Sequence, residues 1–121
     1  MKPILAKDLK KFIERFDNFK DGELRSIDVI SPTTMSITLA GQDNAREFDW
    51  ISMTFEFSGV SDARLLQNNK LSLVDMNDGI NVIYEDDKFA FGIGDYDTIS
   101  STKNSTCYIV CSTLKYKEGM F

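Results

Sequence analysis

Residues 48–60 read FDWISMTFEFSGV, and within them Ile51, Met53, Phe55 and Phe57 alternate with Ser52, Thr54, Glu56 and Ser58. A period of two puts the apolar set on one face of an extended strand and the polar set on the other, whereas a helix would scatter both around its axis. The stretch therefore predicts a central strand, which the chain leaves at Gly59. Trp50 is an aromatic on its otherwise polar face.

Upstream, Leu5, Leu9, Phe12, Ile13 and Phe16 fall on three-and-four spacing and predict an amphipathic helix over residues 4–17, with Pro3 in its first turn. Residues 26–30 begin a strand with Ile27 and Val29 on one face. Ser31-Pro32-Thr33 turns it into a second strand carrying Met35, Ile37 and Leu39. A polar loop over residues 41–46 then leads to the central strand, so the first three strands form an antiparallel meander. Downstream, residues 61–70 read as a connection and 71–77 as a strand. Asp78-Gly79 is the strongest type I′ hairpin signal, because that turn needs positive φ at both central residues. Residues 80–84 follow as a strand, Asp86-Asp87 turns into a strand over 89–93, residues 95–104 form a loop, and residues 106–116 supply a last strand.

The expected fold is α+β: an N-terminal helix packed on a strongly twisted, mostly antiparallel sheet of about seven strands. Trp50, Tyr84, Val110 and Leu114 make the second sheet face less than wholly polar. That predicts curling toward a half-barrel or burial in a homodimer. At 121 residues, 42% hydrophobic and 27% charged, the chain fits a single domain spanning residues 1–121. No apolar run approaches the roughly 20 residues that cross a bilayer, and no signal sequence opens the chain, so a cytoplasmic protein without a membrane partner is expected.

Histidine is absent, which removes Ser-His-Asp and Cys-His nucleophiles, His-ligated zinc and a His general base. Cys107 and Cys111, four apart in a strand, would sit about 13 Å from each other and cannot bridge. They read as buried hydrophobes, and no cofactor, metal or disulfide is expected. Asp75, Asn77 and Asp78 resemble the start of a calcium loop, but Gly79 is at the fifth position and no Glu stands at the twelfth. Gly92-Ile93-Gly94 lacks the third glycine of a dinucleotide loop. Asp49 and Glu56 have no supporting motif for carboxylate catalysis, so the chain reads as a binding protein rather than an enzyme.

Charge is distributed unevenly. Net charge is -5 with a pI near 4.7, which opposes nucleic-acid binding. Residues 1–20 hold six basic and three acidic groups, whereas residues 75–97 hold Asp75, Asp78, Glu85, Asp86, Asp87, Asp95 and Asp97 against Lys88 alone. An acidic rim of this kind steers a basic protein partner, with Trp50 as a further contact. The other readings are a small-ligand or carbohydrate module using Trp50 and Tyr84 as stacking surfaces, and a homo-oligomeric structural protein.

Three features give the chain a relative in kind: FKDGELRSI over residues 19–27, the W-x-S-x-T-F-x-F-x-G-V run over 50–60, and Asp62 followed by Leu65 and Leu66. In these the chain resembles small bacterial immunity-type proteins encoded beside secreted polymorphic toxins, with Lys20 where that pattern has a His. The resemblance covers about the first two-thirds of the chain. It implies a protein that binds another protein and performs no reaction; taken with the acidic rim, the expected partner is a basic toxin domain.

Overall fold

A computed structural model describes residues 1–121. Its centre is the strand read above, β4 (Asp49–Ser58), with Ile51, Met53, Phe55 and Phe57 all 4% exposed or less. The N-terminal strand β1 (Lys2–Pro3), β2 (Glu23–Ser31), β3 (Thr34–Asp43) and the C-terminal β9 (Thr113–Met120) join it in a five-stranded antiparallel sheet of order β1-β9-β4-β3-β2. The expected meander is present as β2-β3-β4. A second antiparallel sheet, of order β5-β8-β7-β6, contains β5 (Asp62–Arg64), β6 (Ile80–Glu85), β7 (Lys88–Ile93) and β8 (Tyr108–Cys111). The class is α+β, but the strands number nine and divide between two open sheets.

Phe57 of the first sheet meets Phe91 of the second edge-on at 5.4 Å, and one continuous core runs between the sheets. The sheets do not close into a barrel, and of the four residues on the expected second face Trp50 and Tyr84 stay exposed. Leu114 lies in the shared core, and Val110 is covered by a short helix.

The N-terminal helix is shorter than its periodicity predicts. A 3-10 turn (Ala6–Asp8) leads into α1 (Leu9–Glu14), and a tight turn (Asp17–Phe19) ends it with φ near +50 to +55° at Asp17, Asn18 and Phe19. Left-handed backbone costs roughly 1–2 kcal/mol per residue. Here it aims Phe16 and Phe19 together into the core, stacked at 5.0 Å and almost wholly buried. Phe12 completes the docking against Phe55 and Tyr116. Leu5 lies outside this contact and is exposed, and Pro3 sits in edge strand β1 rather than a first helical turn. A proline is tolerated there because an edge strand has one side without a partner.

Four further expectations are corrected. Val29 is 60% exposed, because β2 is the sheet's edge and its core contacts end with Leu24 and Ile27. The polar loop is shorter than residues 41–46, since β3 continues to Asp43. Residues 71–77 are no strand: a 3-10 segment (Asn68–Leu73) buries Leu71 and turns Leu73 outward, and Asn68 is tied to β2 by the Ile27 N–H at 2.8 Å. Without a strand before it, Asp78-Gly79 is not a hairpin turn. The type I′ geometry occurs at Asp86-Asp87 (φ 52° and 62°), which joins β6 to β7.

Finally, residues 106–116 divide at Ser112, where the chain leaves β8 in one sheet and enters β9 in the other. The Ser112 N–H donates to the Ser58 carbonyl at 3.1 Å, stitching the crossing to β4. Within the expected loop over 95–104 lies α2 (Ile99–Thr102), capped reciprocally by Thr98 and Ser101, with Ile99 packed on Ala90, Tyr108 and Val110. No helix is long and apolar enough to cross a membrane.

Candidate functional site

The seven acidic residues singled out above do not form one continuous rim. Ile80 pairs with Ile93 at one end of the β6-β7 hairpin and Glu85 with Lys88 at the other. At about 3.4 Å per residue these ends are about 17 Å apart. Asp75, Asp78 and Asp95 gather at the first end. Glu85, Asp86 and Asp87 lie at the tip, where the Tyr84 hydroxyl donates to Asp87 at 3.2 Å and Glu85 accepts from the Ile99 N–H. Lost hydration and then Asp87 push the Tyr84 phenol up from its ordinary value. Asp97 belongs to neither end and lines a groove between α1 and β6 with Lys10 and Glu14.

The first end is more than a set of charges. Leu66, Leu73, Val74 and Tyr96 line a depression of about 490 Å³ with Asp75, Asp78 and Lys70 at its margin. Leu73 is 81% exposed, the most exposed aliphatic side chain apart from Met120. The local fold holds this arrangement in place. Asp75 accepts from the Asn77 N–H at 2.8 Å, and Gly79 packs so closely on the turn after α1 that a Cβ there would lie 2.0 Å from the Asn18 carbonyl oxygen. Two carboxylates and one ammonium group therefore border an apolar centre.

Trp50 stands apart on the outer face of the first sheet, tilted against Phe121 at 5.4 Å, while Tyr84 packs on Phe89 in the second sheet. The two rings lie on different sheets and do not share a stacking cradle.

Sequence reasoning missed the strongest polar cluster. Asp43 ends β3 with its side chain 0% exposed. Arg15, just past α1, donates to both its oxygens, Nε to Oδ1 at 2.8 Å and Nη2 to Oδ2 at 2.5 Å. Asp43 also accepts from the Ala45 N–H, and Arg46 Nε lies 3.4 Å away. Glu118 of β9 closes the cluster, with Oε1 3.1 Å from Arg15 and Oε2 2.6 Å from Arg46. The Arg15 hydrogen bonds hold the Asp43 carboxyl below its ordinary value, against the opposing effect of burial. A faint signal was available, since an Asp before Asn-Ala-Arg is a capping residue, but its partner 28 residues upstream is not.

Cys107 and Cys111 are buried and free, with burial pushing their thiols up to about 11 and about 12. No three side chains among His, Cys, Asp and Glu converge to hold a metal ion. Comparison with protein-family models, curated proteins and solved structures finds no match.

Proposed function

We propose that the chain is a non-enzymatic protein-binding domain of the immunity type, which acts in the cytoplasm by occupying the surface of a basic toxin domain. The observation that carries this reading is Leu73, exposed beside Tyr96 and flanked by Asp75 and Asp78. Desolvating an exposed leucine supplies affinity, and the acids around it supply orientation and association rate. Asp95 stands in the chain between Gly94 and Tyr96, both of which line the depression. The hairpin tip, Asp97 and Trp50 lie away from this surface, so the carboxylates among them add to the long-range field rather than to the contact, and uncharged Trp50 adds to neither.

The test is association with the C-terminal domain of the protein encoded immediately upstream, measured by stopped flow at low and near-physiological salt. Asp75→Lys with Asp78→Lys should slow association about tenfold or more at low salt, an effect screened over about 8–10 Å as salt rises. Asp86→Lys with Asp87→Lys should change it less. Leu73→Ala should speed dissociation roughly tenfold, equivalent to about 1.4 kcal/mol. Failure of the upstream domain to bind overturns the immunity reading. Binding that ignores both the first pair and Leu73 moves the contact elsewhere.

A further inference from the structure

At a second cavity, which shares no lining residue with the one beside Asp75 and Asp78, the molecule gathers positive charge. Lys2, Arg15, Arg46 and Lys117 line one cavity of about 540 Å³ together with Tyr116 and a single carboxylate, Glu118. They come from four separate segments: β1, the end of α1, the turn after β3, and β9. With Asp43 behind them, four cations face two carboxylates, a local surplus of two positive charges on a chain of net charge -5.

Both guanidiniums are fixed before any ligand arrives. Arg15 spends Nε and Nη2 on Asp43 and Glu118, and Arg46 directs Nε to Asp43 and Nη2 to Glu118. Nη1 of each is left without a protein partner. Glu118 does not compete for an incoming anion, because each of its oxygens already faces a guanidinium. Lys2 and Lys117 have no carboxylate within ion-pair distance, although every other long-range ion pair of the chain except that of Lys103 with Asp62 lies in this cluster. Two oriented N–H groups and two free ammonium groups around one cavity make a receptor for a group with several oxygens and at least two charges. A monocarboxylate would neutralise half of the surplus.

We infer that the cavity between Lys2, Arg15, Arg46 and Lys117 is a binding site for a phosphate-type anion that carries two or more negative charges. Asp43 and Glu118 are its positioning residues, holding the arginines in place, and the lysines close around the ligand. Free pyrophosphate and the diphosphate of a nucleotide present the same chemistry to these donors.

The experiment is a titration of the ¹⁵N-labelled protein with pyrophosphate and, separately, with adenosine diphosphate, at constant ionic strength set by sodium chloride. Saturable shifts confined to the amides of residues 44–47 and 116–118, with a Kd below about 1 mM, are expected for pyrophosphate. If adenosine diphosphate matches it, the site admits nucleotides; if only pyrophosphate saturates, the ligand is a free anion. Lys2→Gln with Lys117→Gln, both exposed and outside the folded network, should weaken binding about tenfold with an unchanged melting temperature. Absence of saturation at about 10 mM pyrophosphate, or equal affinity in the double variant, overturns the assignment.

Discussion

Replacing Asp43 by asparagine keeps the size of the side chain and removes one charge from the place where α1, β3 and β9 meet. The amide can accept one of the two Arg15 hydrogen bonds and cannot accept the other. Arg15 is then left 30% exposed with Glu118 as its only carboxylate. Losing a charge-assisted bond costs about 1.5–3 kcal/mol, and breaking a fully buried pair about 3–5 kcal/mol. Because Arg15 keeps some water and Glu118, about 3 kcal/mol is expected at pH 7. For a chain of this size that is roughly 12 °C in melting temperature. The pH dependence is diagnostic. The folded carboxyl titrates below its ordinary value, so its contribution is present above the unfolded pKa of about 3.9 and is lost as pH falls through the folded one. Urea unfolding of both proteins at pH 7, 5 and 3 should give a constant gap from 7 to 5 that narrows toward 3. A gap under about 1 kcal/mol at pH 7, or one as wide at pH 3 as at pH 7, would refute the assignment of this stability to an ionised Asp43.

Gly79→Ala should cost at least about 3 kcal/mol by urea unfolding, because the added Cβ would lie 2.0 Å from the Asn18 carbonyl oxygen at a φ of +69°; a loss under 1 kcal/mol would mean that the turn after α1 moves aside freely. Cys107 and Cys111, buried with thiols near 11 and 12, should resist a thiol-reactive disulfide at pH 8 in the folded protein and react promptly in denaturant. Rapid native labelling would contradict their place in the core.

The parts of the fold that were legible in the sequence are those whose cause is local. Period-two alternation fixed the face of every buried residue in β4, because only one face of its sheet packs into the core while the other is left to solvent. Asp86-Asp87 was readable as a turn for the same reason. Asp78-Gly79 carried an equally strong local signal, and Gly79 does adopt positive φ, but the cause is the backbone of Asn18 pressed against it, some 60 positions upstream. The division at Ser112 was hidden because residues 108–111 are buried on both faces, one against the core and one beneath α2. A continuous apolar run followed by the alternation of Leu114 and Tyr116 is the trace it leaves. Of the acids at the hairpin's first end, the residue types were visible and their meeting with Leu73 was not, since residues 71–77 looked like a strand that would have turned Leu73 and Leu71 to the same side.

The passage of the chain from one sheet to the other at Ser112 sets the order of events during synthesis. Strand β9 supplies a neighbour to β4, and β8 supplies one to β7, so both sheets wait for residues 108–120. Lys2 and Pro3 wait longest, for Tyr116 and Lys115. Contacts of such long sequence separation make folding slow, because the closure entropy of nearly the whole chain precedes the reward. Until those residues leave the ribosome, the nascent chain holds two unpaired edges, β4 and β7, each beside an uncovered row of phenylalanines, which is the state in which β-rich chains aggregate.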